Sequence, residues 1–192
     1  IDLDATDTPL HGRQEGRFFH GYYDHYCYLP LYIFCGDQLL CARLREANQD
    51  ASAGSLEEIR RIVTQIRERW SKVRIVLRAD SGFCREDLMR WCEDHQVDYV
   101  FGLARNERLR QLSSKAMRKA AAESKRTGKP VRVFTGFGYR TRKSWSRRRR
   151  VVAKAERIEG KENPRYVVTS LSAAEWKPRE LYEQLYCARG EM

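Results

Sequence analysis

Apolar and polar residues alternate at the beginning of the chain, and this pattern predicts a β-strand over residues 1–8. Asp2 and Asp4 fall on its polar face; a solvent-exposed Asp2 is the favoured interpretation, and a supporting role for Asp2 beside Asp4 is the alternative. Two further β-rich stretches follow at 21–35 and 38–45, with a Gly-Asp turn between them. The short links between these strands favour antiparallel pairing.

The pattern then changes to helices that alternate with strands. Ser55 and the Glu three residues later have the spacing of a capping box and predict the start of a helix, whose apolar positions continue to Trp70. A strand at 73–79, a short helix at 85–95 and a strand at 98–104 follow. Hairpin-like strands followed by β-α-β units predict an α/β fold with a mixed sheet and helices packed against it.

The last part of the chain has a different organisation. A helix is predicted at 106–126, a β-rich stretch at 131–170, and a final helix that begins near Pro178. The pattern therefore predicts three regions, which are a core at 1–104, a basic and largely β insertion at 105–170, and the start of a final core helix at 171–192.

Charge is distributed unevenly along the chain. The formal net charge is +11, but residues 105–165 alone carry 21 basic and 5 acidic side chains, so the remainder is mildly acidic. A basic block beside an acidic body indicates a polyanionic partner and separate acidic chemistry. No apolar run is long enough to predict a membrane span. Six cysteines without a C-x-x-C pair are typical of thiols in a reducing cytoplasm.

Two aspartates fall where α/β sheets place their chemistry. Asp4 lies near the end of the first predicted strand, and Asp80 directly follows the strand at 73–79. If these strands are neighbours, their spacing of about 4.8 Å lets both carboxylates bind one pair of divalent metal ions. Oxygen ligands favour Mg²⁺ or Mn²⁺ over zinc. An aspartate after a strand is also a common turn or capping residue, and that interpretation stays open.

A run of basic residues inside the β-rich insertion is the candidate DNA-binding surface. Trp145 lies within this run, and aromatic and Arg side chains together are typical of proteins that bind unpaired bases. Tyr166 is a second candidate for a base contact. A solvated hairpin tip is the alternative interpretation of the run. The candidate DNA-binding residues here are Arg140, Arg142, Lys143, Trp145, Arg147, Arg148, Arg149 and Arg150.

Several motifs together resemble the DDE transposases of bacterial insertion sequences. They are Asp4-Ala5-Thr6 in the first strand, the loop Gly12-Arg13-Gln14-Glu15-Gly16, and the segment Arg78-Ala79-Asp80-Ser81-Gly82-Phe83. In addition, Tyr186-Cys187-Ala188-Arg189 matches the opening of the Y-x2-R-x3-E-x6-K signature of one branch. The resemblance covers essentially the whole chain. It implies an RNase H-like mixed sheet flanked by helices, with the β-rich insertion before the last helix.

The resemblance also implies roles for individual residues. Asp4 and Asp80 would be the first two catalytic carboxylates and would bind Mg²⁺ or Mn²⁺ as a pair of ions. Tyr186 and Arg189 would hold the DNA strand near the phosphate that is cleaved. A third carboxylate is expected at position 193, on the same face of the final helix and beyond Met192. The 192 residues are therefore expected to be a piece of a longer protein that binds DNA without cleaving it by itself.

The implied function is metal-dependent DNA strand cleavage and strand transfer at transposon ends. The implied partner is DNA, both transposon ends and target, with a homodimer on DNA as a compatible assembly and the bacterial nucleoid as the location. Two other functions stay open. One is a non-catalytic DNA-binding remnant or co-opted fragment, and the other is a resolvase- or RNase H-type nuclease that cuts without joining ends.

Overall fold

The computed structural model describes residues 1–191, with side chains up to Arg189. The chain divides into two compact units, of which the first comprises residues 1–97 and the second residues 98–191. Each unit combines β-strands with at least one long α-helix, so the predicted α/β fold class is confirmed. No helix within the described residues is long and apolar enough to cross a lipid bilayer.

The strands of the first unit are β1 (Asp2–Ala5), β2 (Thr8–Pro9), β3 (Phe18–His20), β4 (His25–Tyr28), β5 (Leu31–Cys35), β6 (Gln38–Arg43) and β7 (Val76–Ala79). The main sheet is mixed, because β1 pairs parallel with β7 on one side and antiparallel with β5 on the other. β6 extends this sheet by pairing with β5. A smaller antiparallel sheet contains β2, β4 and β3 in that order.

The helices of the first unit are α1 (Ser55–Arg69) and α2 (Glu86–Asp94). The predicted start of α1 is confirmed, but the capping role of Ser55 is wrong. Gly54 is the N-cap, in a left-handed conformation, and the Ser55 hydroxyl instead donates to the Ser52 carbonyl oxygen at 2.7 Å. The apolar face of α1 ends earlier than predicted, since Ile59 and Val63 are buried whereas Trp70, just after the helix, is 66% exposed.

The second unit contains β8 (Asp98–Leu103), β9 (Val131–Tyr139), β10 (Arg149–Ile158), β11 (Lys161–Glu162) and β12 (Arg165–Thr169). β12 pairs antiparallel with both β8 and β10, and β10 also pairs antiparallel with β9 and β11. The β-rich pattern predicted for residues 131–170 is therefore present as antiparallel strands.

Helix α3 (Glu107–Thr127) packs on β9 and β10 and is capped at both ends, of which the sequence predicts the C-terminal one. The Asn106 side chain accepts a hydrogen bond from the backbone N–H of Leu109 at 3.0 Å. Gly128 ends the helix at φ 67°, a left-handed conformation that glycine adopts without steric cost. On its buried face, Ala116 and Met117 pack against Ala155 of β10.

The final helical segment is less regular than predicted. It begins with α4 (Pro178–Glu180), with Pro178 in the first turn as expected, and continues as a π-helix over Leu181–Tyr186 and a 3₁₀-helix over Cys187–Glu191. Leu181 packs with Val152 of β10 in the same core cluster. The segment is therefore not the continuous α-helix on which the predicted i, i+3, i+7 spacing was based.

Candidate functional site

Asp4 and Asp80 lie side by side at the carboxyl ends of two neighbouring parallel strands. The register of β1 and β7 pairs Asp2 with Arg78 and Leu3 with Ala79, so the next residue on each strand is one of the two aspartates. Adjacent strands are about 4.8 Å apart, which is close enough for two carboxylates to share a ligand. Both residues are partly exposed. The condition set by the sequence, that the two strands are neighbours, is met, while the catalytic role of the aspartates stays a prediction.

Asp80 also caps a short 3₁₀ turn at Ser81–Phe83. Its Oδ1 accepts a hydrogen bond from the Gly82 N–H at 2.8 Å. A Cβ atom at Gly82 would lie 3.0 Å from both that oxygen and the Ala51 methyl carbon, so a side chain there would force these neighbours to shift. Capping fixes the direction of the Asp80 carboxylate and thereby prepares it as a ligand.

A buried ion pair joins the same two strands one pleat before the aspartates. The Arg78 guanidinium donates from Nε to Asp2 Oδ1 and from Nη2 to Asp2 Oδ2, both at 2.6 Å. Asp2 is only 1% exposed, so the prediction that it is solvent-exposed is wrong. Its partner Arg78 lies directly across the parallel ladder, a non-local contact that the alternation of β1 could not reveal. This bidentate pair stabilises the register that aligns Asp4 with Asp80.

The β3–β4 hairpin approaches the aspartates through its inner face. His25 Nε2 lies 2.7 Å from Asp7 Oδ2, which links the hairpin to the chain that follows β1. The Tyr23 ring packs between His20 and His25, at centroid distances of 4.8 and 6.0 Å. Burial raises the pKa of Tyr23, and the negative charges of Asp7, Asp4 and Asp80 raise it further. The Tyr23 hydroxyl therefore lies in the electrostatic field of the aspartate pair.

The two aspartates fit a hard divalent cation as far as their donor atoms are concerned. Asp4 and Asp80 supply carboxylate oxygens at neighbouring strand ends, and Mg²⁺ and Mn²⁺ prefer such ligands. Among the described side chains, which extend to Arg189, no group of three or more His, Cys, Asp or Glu is close enough to hold a metal ion. The carboxylate expected at position 193 lies outside the described residues and stays a prediction.

The basic segment of the second unit divides into exposed and covered side chains. Its exposed members are Arg140, Arg142, Lys143, Arg147 and Arg148. Three of these arginines line one concave surface together with Arg108 of α3, which the sequence did not single out, and these are Arg140, Arg142 and Arg148. Arg108 is held in place by a 3.2 Å hydrogen bond to the Arg140 carbonyl oxygen and by its position over the Tyr139 ring.

Two residues of the same segment, Trp145 and Arg149, are buried and so are not accessible to DNA as predicted, and a third, Arg150, is partly exposed but occupied by backbone contacts. Trp145 is 6% exposed, packs edge-on against Tyr139 at 5.6 Å, and is covered by the Arg149 guanidinium at 5.5 Å. Arg149 is itself 5% exposed. Arg150 donates to the carbonyl oxygens of Leu171, Ser172 and Trp176 at 2.7–2.9 Å and so holds the chain that leads to α4.

Tyr166 is also unsuited to a base contact. It is 3% exposed, and its hydroxyl forms a 2.9 Å hydrogen bond with the Ser113 hydroxyl of α3. Burial raises the pKa of Tyr166, and nearby charges modify it less. Its ring is part of the contact between α3 and the sheet, so the prediction of a base contact at Tyr166 is wrong.

Tyr186 and Arg189 are partly exposed and contact each other in the final helical segment. The Arg189 guanidinium lies over the Tyr186 ring at 6.0 Å, and the Tyr186 ring lies 5.5 Å from that of Tyr182. The spacing of three residues therefore brings the pair together, although through a π-helix followed by a 3₁₀-helix. Their contact with a DNA strand stays a prediction.

Paired carboxylates at the strand ends of an α/β fold are typical of enzymes that bind divalent metal ions. The chain belongs to the family described as Transposase DDE domain group 1, whose model matches residues 1–192. Among solved structures, a piggyBac transposase synaptic complex with hairpin DNA is similar, at 12% identity and a TM-score of 0.47. That similarity covers 99% of this chain and 38% of the other, so this chain spans well under half the length of that transposase. A search of curated proteins finds no match.

Family membership confirms the resemblance to DDE transposases. The assignment to the branch of bacterial insertion sequences and the signature at Tyr186 and Arg189 stay predictions. The sequence did not reveal the contacts of Arg78, Tyr23 and His25 around the aspartates. For Arg78 the sequence did offer a signal. It lies two residues before Asp80, and residues two apart in a strand point to the same face, so Arg78 could have been expected near the aspartates.

Proposed function

We propose that this chain is the catalytic domain of a DDE transposase of the bacterial insertion-sequence type. In this proposal the protein cleaves DNA strands at transposon ends and joins them to target DNA in a metal-dependent reaction. One observation carries the proposal, namely the side-by-side position of Asp4 and Asp80 in a chain of the DDE domain family. Its place of action would be the bacterial nucleoid, and a homodimer on DNA would bring two transposon ends together.

Asp4 and Asp80 would hold Mg²⁺ or Mn²⁺, as a pair of ions, through their carboxylate oxygens. When bound, such ions stabilise negative charge on a phosphodiester and favour attack by a hydroxyl group. The protein's own part is to keep both carboxylates in a fixed position. The Gly82 N–H orients Asp80, and the Arg78–Asp2 pair holds β1 and β7 in the register that aligns the aspartates.

The exposed basic residues of the second unit would bind the DNA backbone. Guanidinium groups at the concave surface can each contact a phosphate, and Arg108 would join the predicted residues there. Tyr186 and Arg189 would hold the strand near the phosphate that is cleaved. The residues proposed to contact the backbone are Arg108, Arg140, Arg142, Lys143, Arg147 and Arg148.

The catalytic part of the proposal is tested with Asp4→Asn and Asp80→Asn in the full reading frame. Each variant should lose Mg²⁺-dependent cleavage of matching end DNA and should bind Mn²⁺ more weakly in a paramagnetic titration, because a neutral amide is a poorer ligand. DNA binding should be largely retained. Asp94→Asn, on the exposed surface of α2, is the matched control and should leave all three readouts unchanged. Wild-type cleavage by Asp80→Asn would contradict the proposal, and DNA binding without any cleavage by the wild type would favour a non-catalytic remnant.

The DNA-binding part is tested by replacing Arg147 and Arg148 with Ser while Arg149 and Arg150 are kept for their structural contacts. Each phosphate contact that is lost should reduce the slope of log K against log salt by about 0.9. Replacement of the exposed Arg60 and Arg69 of α1 is the matched control, since it removes the same charge from the first unit. An unchanged slope in the Arg147/Arg148 variant would show that these residues are only a solvated surface.

A further inference from the structure

The β3–β4 hairpin carries an unusual number of exposed aromatic side chains. Nine large hydrophobic residues are exposed within the described chain, and four of these lie in residues 18–26 of this hairpin. Exposed aromatic clusters of this kind generally mark an interaction site. We call this surface the aromatic hairpin; its exposed rings belong to Phe18 at 38%, Phe19 at 54%, Tyr22 at 85% and Tyr26 at 46%.

The outer face of the aromatic hairpin combines ring surfaces with a cation. The antiparallel register pairs Phe19 with Tyr26, and their rings meet edge-on at 5.6 Å. The Arg17 guanidinium lies over the Tyr26 ring at 4.6 Å from its centroid and donates a hydrogen bond to the Gly12 carbonyl oxygen. Two aromatic rings and a positioned guanidinium are the groups that stack on a nucleobase and contact its phosphate.

The inner face of the same hairpin is fixed to the chain that directly follows Asp4. The 2.7 Å contact between His25 and Asp7 links the hairpin to the chain that leaves β1. Tyr22 packs edge-on against Tyr23 at 5.1 Å, and Tyr23 lies in the field of Asp4 and Asp80. These contacts tie the aromatic hairpin to the chain that leads from Asp4.

We propose that the aromatic hairpin stacks unpaired DNA bases beside the phosphate that is cleaved. This inference rests on the proposed function, because it assigns a ligand to the surface around the same carboxylates. Bases that leave the duplex next to a cleavage point expose their π-faces, and Phe19 and Tyr26 offer ring surfaces to them irrespective of sequence. Trp145, which the sequence suggested for this task, is covered, whereas the hairpin rings are accessible.

The experiment compares the binding of two fluorescent DNA probes, a blunt duplex and the same duplex with a short unpaired single-stranded end. Wild-type protein should prefer the unpaired end. The Phe19→Ala/Tyr26→Ala double variant should bind that probe about 5- to 150-fold more weakly for each stacked base that is lost, while its affinity for the blunt duplex is unchanged. A 2-aminopurine base in the unpaired end should be quenched by the wild type and not by the double variant.

Two control variants separate stacking from general surface effects. Tyr26→Phe keeps the ring and should retain both the preference and the quenching. Trp70→Ala removes another exposed aromatic side chain of the first unit and should have no effect on either probe. Because the mutated rings are at the surface, the circular dichroism spectrum of the double variant should match that of the wild type. If the double variant does not fold, the single variant Phe19→Ala is measured in the same binding assay instead.

Three outcomes would overturn the inference. Equal affinity of the wild type for both probes, with salt-dependent duplex binding intact, would overturn it and leave the proposed function standing. Absence of any salt-dependent DNA binding by the wild type would overturn both together. Light scattering that shows a wild-type dimer and a double-variant monomer, with unchanged binding of both probes, would assign the aromatic hairpin to contact with a second copy of this chain.

Discussion

Asp2→Asn should destabilise the protein by about 3 kcal/mol, because it removes one partner of a buried ion pair. The Asp2 side chain is 2% exposed and that of Arg78 is 19% exposed, so water cannot fully replace the lost carboxylate. The two 2.6 Å hydrogen bonds also lose their charged acceptor. In a chain of this length, each 1 kcal/mol of destabilisation lowers the melting temperature by about 2–4 °C. The expected decrease for Asp2→Asn is therefore about 6–12 °C.

Urea and thermal unfolding, followed by far-UV circular dichroism, measure this effect. The matched control is Asp94→Asn, which removes a carboxylate 3.8 Å from Arg90 on an exposed helix face and should cost about 0.5 kcal/mol or less. Replacing both residues of the buried pair, with Asp2→Leu and Arg78→Met, should recover most of the loss, since an apolar pair leaves no charge unpaired.

A loss for Asp2→Asn as small as that for Asp94→Asn would refute this reasoning. It would mean that the buried pair has no stabilising effect beyond that of a surface pair. The double replacement would refute it too if its destabilisation equalled the sum of the two single changes, because independent effects would show that the side chains do not interact.

Three further changes have defined outcomes. Glu156, 1% exposed, accepts hydrogen bonds from Arg132, Lys154 and Asn163 at 2.6–2.8 Å, so Glu156→Ala should cost about 3–5 kcal/mol in urea unfolding, and a loss below about 1 kcal/mol would contradict this. Gly128→Ala should lower the free energy of unfolding by about 1–2 kcal/mol in the same urea assay, because φ is 67° at this position and an alanine there is strained. Burial raises the pKa of Asp50, but hydrogen bonds from Arg85 and Ser52 outweigh this and lower it to about 2. The ion pair of Asp50 with Arg85 is half-exposed and should stabilise the fold by about 1 kcal/mol or less. This stabilisation should be present above pH 4 and disappear as the pH falls towards 2, and Asp50→Asn should remove this pH dependence of the unfolding free energy.

The order of helices and strands could be predicted from the sequence because local signals define most of it. Asn106 and Gly128 mark both ends of α3, and Pro178 marks the first turn of α4. The end of α1 was misjudged, because the apolar spacing continues to Trp70, whereas the helix ends at Arg69 and leaves that indole exposed. Spacing alone does not show where the packing partner of a helix ends.

The positions of Asp4 and Asp80 at strand ends could be predicted from the sequence, whereas the pairing of their two strands was a condition that only the structure could show to be met. The burial of Asp2 could not, since it depends on Arg78, 76 residues later in the chain. The π-helical turn at Leu181–Tyr186 could not be predicted either. Its i→i+5 hydrogen bonds depend on how the segment packs on β10, and local propensities do not distinguish them from those of an α-helix.

The basic run at residues 147–150 shows how strongly a strand boundary determines the fate of a side chain. β10 begins at Arg149, and in its middle Val152 packs with the final helical segment while Ala155 packs with α3, so the strand is covered on both faces. Arg149 and Arg150 lie within the strand and are drawn into contacts with Trp145 and with backbone carbonyls. Arg147 and Arg148 precede it and stay exposed. Strand ends are predicted from sequence only to within a few residues. The four arginines at 147–150 could therefore be assigned to one surface from the sequence, but the sequence could not show that two of them are structural and two are accessible.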